Sequence, residues 1–232
     1  MNKRLPTGLY VLTPDTVDDD WLAMAVSAAI RGGATAVQYR NKSLDATQRL
    51  RQAQRLADVC REAGALFIVN DSVELARAVG ADGLHIGRDD GEPASVRAAL
   101  GPQAILGVSC YDAFERALAV RDVADYVAFG SVFVSTVKPG AVRAPLALFA
   151  RAREAGIHAV AIGGIDAGNA REVSQAGAGA VAVITAVFGE ADGARRADVT
   201  QIESNARRIV EAFQSTAGAP DDPVAPSPAA MR

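Results

Sequence analysis

Short apolar runs alternate along the chain with longer amphipathic stretches. We count eight runs rich in β-branched and small apolar residues, at positions 9–12, 34–39, 66–69, 83–86, 105–108, 126–129, 159–162 and 180–184. Most of them are unbroken rather than alternating, which is typical of strands buried on both faces. Stretches such as 21–30, 46–62, 114–120 and 144–154 are long enough to be crossover helices. The pattern predicts repeated βα units around a parallel sheet.

Glycine recurs where a predicted helix gives way to the next strand, at Gly33, Gly64, Gly80, Gly156 and Gly177. A glycine at this place supplies the left-handed residue that ends a helix. Eight βα units with right-handed crossovers then predict an α/β fold with a single closed (β/α)₈ TIM barrel. An open doubly wound sheet is the main alternative.

The end of the chain differs in composition from the rest. Beyond Phe213, four prolines stand among Ala, Ser and Asp residues, with few apolar side chains to bury. Such a composition is typical of disorder. We therefore predict a catalytic barrel domain over residues 1–214 and a disordered Pro/Ala-rich tail over 215–232.

Composition excludes several classes of function. The 232 residues are 50% hydrophobic and 22% charged, with a formal net charge of −3 and 5% aromatic residues. A nucleic-acid surface would need clustered cations with stacking aromatics, so no nucleic-acid partner is predicted. No run reaches the ~18 apolar residues of a membrane span. The two cysteines, Cys60 and Cys110, form no metal-binding or disulfide pattern, which favours a reducing, cytoplasmic location.

Polar residues follow the predicted strands, and in a TIM barrel the carboxyl ends of the strands form the active site. Collected in this way, the candidate residues are Thr13, Gln38, Arg40, Lys42, Asn70, Asp71, His85, Asp90, Ser109, Lys138, Gly164 and Thr185. Most of them can hold Mg²⁺ or donate hydrogen bonds to phosphate. Loops are polar in any protein, so each residue taken alone could simply be solvated. Together they indicate an enzyme that acts on a diphosphate.

Two aspartates are the candidate metal ligands. Asp71 closes the third run and Asp90 follows the fourth. Mg²⁺ takes one or two carboxylates and completes its shell with water and phosphate oxygens. Two alternatives stay open: Asp71 or Ser72 could instead cap the following helix, and Asp89 could be the ligand in place of Asp90.

Two further segments suggest phosphate contacts. The hydroxyl-rich stretch after the sixth run contains Lys138, which could reach a diphosphate from a mobile loop that closes over the site, although the loop could also be merely solvated. The seventh run ends in Gly163-Gly164 and the eighth in Ile184-Thr185. TIM barrels commonly bind phosphate between these two loops.

Nucleophilic catalysis is a weaker interpretation. His85, Ser109 and Asp71 could form a hydrolase triad, yet no G-x-S-x-G motif is present and His85 could equally be a structural imidazole near the carboxylates. Cys110 could be a nucleophile, but a thiol at a strand end more often packs. His158 begins the seventh run and therefore belongs to the opposite end of the barrel.

Several separated motifs resemble those of the thiamine phosphate synthase family, over most of the chain from Gly8 to about Phe213. The matching residues are Gln38-x-Arg40-x-Lys42, Val69-Asn70-Asp71, Leu84-His85-Ile86-Gly87 with Asp90, Gly107-Val108-Ser109, Lys138 and Ile162-Gly163-Gly164-Ile165. The resemblance implies a transferase that joins an aminopyrimidine methyl diphosphate to a thiazole phosphate, giving thiamine monophosphate and diphosphate. It also implies small-molecule substrates, and it leaves homo-oligomerisation open.

The resemblance assigns roles residue by residue. It implies that Asp71 and Asp90 hold Mg²⁺ as the cofactor. The residues it implies for the pyrimidine diphosphate are Gln38, Tyr39, Arg40, Asn41, Lys42, Asn70, Ser109 and Lys138, of which Arg40, Lys42, Lys138 and Ser109 would be catalytic. Those for the thiazole phosphate are Ser135, Thr136, Val137, Gly164, Ile184 and Thr185.

The chain departs from the family pattern in the loop around Lys138. Val134 replaces the usual proline and Val137 replaces a hydroxyl residue, while Thr185 replaces the common serine but keeps its hydroxyl. The thiazole tautomerases resemble this fold and are the nearest alternative. The retained Asp71 and Asp90 argue against tautomerase activity, because a tautomerase reaction involves no diphosphate. A non-catalytic ligand sensor is the alternative from another class.

Overall fold

The computed structural model describes residues 5–134, 142–190 and 196–215. Its strands are β1 (Gly8–Leu12), β2 (Ala34–Tyr39), β3 (Leu66–Asn70), β4 (Gly83–Ile86), β5 (Ile105–Tyr111), β6 (Tyr126–Gly130), β7 (Ala159–Ile162) and β8 (Ala180–Val183). The helices are α1 (Asp19–Arg31), α2 (Ala46–Ala63), α3 (Val73–Ala78), α4 (Pro93–Leu100), α5 (Phe114–Val120), α6 (Ala147–Glu154), α7 (Ala170–Gln175), α8 (Thr185–Phe188) and α9 (Val199–Gln214).

The eight strands form a closed barrel in sequence order, and every neighbouring pair is parallel. Closure comes from β1 and β8, where Gly8 pairs with Ala180 and Val11 with Val183. The predicted (β/α)₈ TIM barrel is confirmed, and the open doubly wound sheet is wrong.

Alternate strand residues face two different cores, because successive side chains of a strand point to opposite faces. One face of β1 contributes Leu9 and Val11 to the layer between strands and helices. The other contributes Tyr10 and Leu12 to the barrel interior, where Tyr126 of β6 also lies. Because both faces of a strand are buried, each strand appears in the sequence as an unbroken apolar run.

Most predicted element boundaries agree with the structure. The eighth strand ends at Val183 rather than 184, and Ile184 becomes the residue that precedes α8. The helix expected from residue 144 begins at Ala147. All five glycines at the helix-to-strand joins have positive φ, between 61° and 103°. Only glycine adopts such angles without strain, which explains why it recurs there.

Some predictions lie outside the described residues. These are the roles of Ser135, Thr136, Val137 and Lys138, and the disordered tail beyond Ser215. Within the part of the chain that the structure describes, no helix combines the length and apolarity that crossing a bilayer requires.

Candidate active site

The turn after β3 places one carboxylate at the mouth of the barrel. Asp71 has a left-handed backbone with φ of 66°, and its amide donates to the carbonyl oxygen of His85 at 2.9 Å. Ser72 then caps α3, because its Oγ accepts the amide of Leu75 at 3.1 Å. Asp71 is therefore not the cap of α3, and its carboxylate is available to bind a ligand at the mouth of the barrel.

Asp90 lies beside Asp71. Its Oδ2 accepts the amide of Gly87 at 2.7 Å, which anchors it at the end of β4. Burial, together with the adjacent Asp90 carboxylate, raises the pKa of Asp71 to about 6, while the charge of Lys42 and a hydrogen bond from Asn70 act in the opposite direction. Asp89 is exposed. Of the two neighbouring aspartates, Asp90 is the one that faces Asp71.

The loops after β1 and β2 hold Arg40 in place. Thr13 is fully buried, and its Oγ1 both donates to the carbonyl oxygen of Arg40 and accepts the amide of Arg40, each at 2.9 Å. The Arg40 guanidinium forms an ion pair with Asp15 at 3.2 Å, and the same carboxylate accepts the amide of Lys42 at 3.1 Å. Asp15 thereby holds Arg40 and the backbone of Lys42 at the rim, and the charge of Lys42 acts on Asp71.

Two sequence-predicted residues have structural partners instead of facing the mouth. Tyr39 lies in the layer between strands and helices, where it stacks on Phe67 and donates to Gln52 at 3.0 Å. Asn41 is 4% exposed and donates to Gln52 and to the carbonyl oxygen of Thr16. The side chains of adjacent strand and loop residues point apart, so a contiguous motif from Gln38 to Lys42 cannot place all its members in one pocket.

His85 and Ser109 do meet, but they do not form a hydrolase triad. His85 Nε2 lies 2.9 Å from Ser109 Oγ, whereas Nδ1 lies 3.0 Å from the phenol oxygen of Tyr126. A triad would require a carboxylate at Nδ1. Burial lowers the pKa of His85 to about 4, so the imidazole is neutral.

Gln38 is connected to the same imidazole through two phenols. Its Nε2 donates to the Tyr10 oxygen at 2.7 Å, and this oxygen lies 2.9 Å from that of Tyr126. Sequence reasoning did not select Tyr10 or Tyr126, because Tyr126 begins its strand at the far end of the barrel. The Tyr126 ring passes directly over Gly107, and a Cβ added at Gly107 would overlap this ring.

The first residues of the loop that follows β6 are hydrogen-bonded to the end of β7. The amide of Phe133 donates to the carbonyl oxygen of Gly163 at 2.9 Å. Gly163 and Gly164 have φ of 101° and 66°, and a Cβ at Gly164 would overlap the carbonyl oxygen of Val134. The Gly-Gly pair therefore allows this loop to lie directly on the end of β7. Thr185 is exposed at the start of α8.

Sequence comparison identifies the family. The sequence model of the family described as thiamine monophosphate synthase matches residues 9–187. The chain belongs to the thiamine monophosphate synthase family.

Two curated relatives and one solved structure illustrate the similarity. A thiamine-phosphate synthase of Chromobacterium violaceum is 56% identical over 191 residues, covering 82% of this chain and 92% of the relative. One from Aromatoleum aromaticum is 53% identical over 192 residues, covering 82% and 92%. The structure of a thiamine phosphate pyrophosphorylase from Pyrococcus furiosus superposes with a TM-score of 0.74 at 33% identity, covering 90% of this chain and 98% of that one.

The donor set of this family member suits a hard cation. Asp71 and Asp90 are two carboxylates held close together, and no ion pair neutralises either of them within residues 5–134, 142–190 and 196–215. The described residues contain no cluster of three or more His, Cys, Asp or Glu side chains. Two carboxylates with substrate oxygens match Mg²⁺, whereas Zn²⁺ sites need three or four protein ligands.

Cys110 is poorly suited to be a nucleophile in this synthase-family site. It is buried, and burial raises its pKa to about 12, so the thiolate is not formed at neutral pH. His158 lies at the amino end of β7, as predicted, where it packs over Gly179. Neither residue lies among the side chains at the mouth.

Proposed function

We propose that this member of the thiamine monophosphate synthase family joins 4-amino-2-methyl-5-(diphosphooxymethyl)pyrimidine to 4-methyl-5-(2-phosphooxyethyl)thiazole, or to its carboxylated form. The products are thiamine monophosphate and diphosphate, and CO₂ is also released when the carboxylated form reacts. The reaction depends on Mg²⁺, and we place the enzyme in the cytoplasm. The observation that carries the proposal is the pair Asp71 and Asp90 at the mouth of the barrel, with the charge of Lys42 acting on Asp71.

Asp71 and Asp90 would hold the cation. Two adjacent carboxylates repel each other, and this repulsion contributes to the raised pKa of Asp71. Binding of a divalent cation by these two carboxylates would relieve the repulsion. When bound, Mg²⁺ also neutralises charge on the diphosphate leaving group.

Arg40 and Lys42 bind the diphosphate from the opposite side. Arg40 is the better suited to two oxygens at once, because a guanidinium offers paired donors in one plane. Asp15 holds this side chain near the rim before substrate arrives, so less side-chain freedom is lost on binding. The ion pair is partly exposed, with 26% of the Arg40 side chain accessible, so phosphate oxygens can compete with Asp15.

The reaction then follows from charge. The bond between the pyrimidine methylene and the diphosphate oxygen breaks, and its electron pair leaves on the diphosphate. The aminopyrimidine ring disperses the positive charge that remains on the methylene. The lone pair of the thiazole nitrogen forms the new C–N bond. Exclusion of water is needed, because water would capture the same carbon as the alcohol.

The direct test is an assay of the purified chain with both substrates. We expect thiamine monophosphate and diphosphate in equal amounts with Mg²⁺ present, and loss of product when a chelator removes it. Formation of product at an undiminished rate with chelator would contradict the metal part of the proposal. A change in the thiazole substrate alone, without the pyrimidine, would instead favour the tautomerase alternative.

A further inference from the structure

One polar side chain of α2 is buried behind the loop that follows β2. This side chain is Gln52, which is 1% exposed. Its Oε1 accepts protons from the Tyr39 phenol at 3.0 Å and from the Asn41 amide at 2.9 Å. Its Nε2 donates to the carbonyl oxygen of Thr16 at 3.2 Å and to Asp19 Oδ1 at 2.7 Å. A primary amide offers two donors and two acceptor sites, so the capacity of Gln52 is fully used.

The side chain of Asn41 is equally occupied by contacts within the protein. Its Nδ2 donates to Gln52 at 2.9 Å and to the carbonyl oxygen of Thr16 at 2.7 Å. Its Oδ1 accepts the amide of Ser43 at 3.0 Å and the hydroxyl of Ser43 at 2.7 Å. A ligand could reach this amide only by displacing one of these partners. The structure thus gives Asn41 a role within the loop itself.

The segment that ends β2 and begins the loop consequently has two sides. Successive side chains of an extended chain point in opposite directions. Tyr39 and Asn41, the odd-numbered members, both end on Gln52. Arg40 and Lys42, the even-numbered members, lie at the rim, where Arg40 has its ion pair and the charge of Lys42 acts on the site. Holding the odd-numbered side therefore sets the direction of the two cations.

We infer that Gln52 is a positioning residue for diphosphate binding, although it does not touch the substrate. This role rests on the proposed function, in which Arg40 and Lys42 bind the diphosphate. Gln52 acts through Asn41, because it fixes the backbone between the two cations. Long cationic side chains lose freedom when they bind an anion, and a fixed backbone keeps that loss small. A buried amide holds its partners firmly, because each partner that it lost would be left unpaired away from water.

The contacts of Gln52 also explain why its loss should loosen the loop without unfolding it. The carbonyl oxygen of Thr16 accepts from both Gln52 and Asn41, so the loops after β1 and β2 meet at this point. Thr13 and Asp15 connect the same two loops from the side of the mouth. These contacts would remain in a variant of Gln52. We therefore expect a folded protein with a less ordered loop.

The first experiment measures binding of inorganic pyrophosphate by calorimetry in the presence of Mg²⁺. Gln52→Met keeps the approximate size of the side chain and removes its four hydrogen bonds. We expect the dissociation constant to rise about ten-fold, because the two cations are no longer held in place. An unchanged dissociation constant would overturn the inference.

The matched control is Leu56→Ala, which also lies in α2 and is also buried. Leu56 belongs to the apolar layer between strands and helices, so its truncation lowers stability by leaving a cavity. Urea denaturation confirms that both variants are folded under the assay conditions. Leu56→Ala should bind pyrophosphate as the natural chain does. If it bound as weakly as Gln52→Met, the effect would come from lost stability and the positioning role would be wrong.

A double-mutant cycle tests whether Gln52 acts through the two cations. Gln52→Met is added to a chain that already carries Arg40→Gln and Lys42→Gln. Its effect on the dissociation constant of pyrophosphate should then shrink to about two-fold or less, because the groups that it positions are absent. An effect of the same size in both backgrounds would show that Gln52 acts elsewhere.

Asn41→Ala separates positioning from direct contact. The family resemblance implies that Asn41 binds the substrate, and in that case Asn41→Ala would weaken pyrophosphate binding while Gln52→Met would not. We expect the two variants to weaken binding alike, and the chain with both substitutions to bind about as well as either alone. Additive effects of the two substitutions would contradict a shared role.

Amide hydrogen exchange tests the same role without a ligand. The amides of Arg40 and Ser43 flank Asn41, and both are hydrogen-bonded. Relative to amides of the barrel strands, their exchange should be faster in Gln52→Met and unchanged in Leu56→Ala. Unchanged exchange in Gln52→Met would overturn the inference. Failure of the natural chain to bind pyrophosphate would instead overturn the proposed function, whereas failure of this inference alone would appear as normal binding by Gln52→Met.

Discussion

At the scale of single residues, the carboxylate pair makes a prediction that separates two neighbours. Asp90→Ala should remove most turnover, because Asp71 alone would be a weak ligand for Mg²⁺. Asp89→Ala is the matched control: Asp89 is exposed, and its loss should leave activity close to that of the natural chain. Turnover at saturating and limiting Mg²⁺ measures both. An inactive Asp89→Ala variant together with an active Asp90→Ala variant would mean that Asp89, not Asp90, is the metal ligand.

Gly107 makes a second prediction, about packing. A Cβ at this position would overlap the Tyr126 ring inside the barrel. We expect Gly107→Ala to lower the free energy of unfolding by about 1–3 kcal/mol, the usual cost of overpacking a core. Gly168→Ala is the control, since its neighbour is an exposed aspartate side chain that can move. Urea denaturation measures both, and equal stabilities would contradict the packing argument.

Sequence reasoning reached some of these residues and not others, for a physical reason. Asp71 and Asp90 could be placed together because parallel strands end at the same rim of the barrel. Tyr126 could not, because it starts its strand at the opposite end and reaches His85 only through the length of its side chain. The one available signal was Gly107, a glycine inside a strand, which often marks the close approach of another group.

At the scale of elements, Thr13 links the end of β1 to the end of β2. Thr13→Val keeps the shape of the side chain but leaves the Arg40 amide and carbonyl without their partner. We expect pyrimidine diphosphate binding to weaken about ten-fold, which corresponds to the ~1–3 kcal/mol of an unsatisfied buried group. Calorimetry would measure the change.

The control for this element prediction is Thr16→Val in the same loop. Thr16 is also buried, but its hydroxyl accepts only the amide of Asp18, at 3.2 Å. Binding should change little. If both variants bound equally well, the Thr13 link would have no part in positioning Arg40.

Elements were the most predictable level of this molecule. Unbroken apolar runs gave all eight strands, because each strand is covered on both faces. The errors lie at the ends of elements: Ile184, predicted to end the last strand, instead precedes the short helix that begins at Thr185. Side-chain direction was harder to predict, because strand residues alternate. The motif from Gln38 to Lys42 therefore divides, because Tyr39 and Asn41 bond to Gln52 and do not face the mouth.

At the scale of the whole molecule, three buried tyrosines predict how stability depends on pH. Burial raises the pKa of Tyr10, Tyr39 and Tyr126 above the ordinary value near 10. Above pH ~10 the unfolded chain loses protons that the folded chain keeps, so unfolding becomes more favourable as pH rises. Each phenol contributes up to ~1.4 kcal/mol per pH unit. Burial also raises the pKa of the Cys60 and Cys110 thiols to about 12, so stability is fully present only below pH ~9, where these thiols begin to ionise in the unfolded chain.

Urea midpoints at pH 9, 10 and 11 measure this effect. We expect the midpoint to begin to fall near pH 9, where the two buried thiols ionise in the unfolded chain, and to fall more steeply above about pH 10, where the three phenols add to them. Tyr39→Phe should reduce the slope above pH ~10 by about a fifth, because it removes one of the five buried groups with a raised pKa, three phenols and two thiols. An unchanged slope would mean that Tyr39 ionises in the folded chain as easily as in the unfolded one.

The final prediction concerns the end of the chain. Helix α9 ends at Gln214, and the Ser215 hydroxyl donates to the carbonyl oxygens of Glu211 and Ala212. Deleting residues 216–232 removes four prolines and few apolar side chains. We expect the melting temperature and turnover to stay the same, because such a segment has little surface to bury. A drop of several degrees would show that it docks.

Closure of the barrel through β1 and β8 also has a consequence for how this protein is made. On the ribosome, β1 emerges first and gains β2 as a neighbour soon afterwards, but its second partner is the last strand to be synthesised. Its other edge has no partner until residue 183 has left the exit tunnel, and α9, which packs on α1, follows later still. The nascent chain therefore carries an unpaired strand edge for most of its synthesis, and this is the interval in which it most needs protection by chaperones.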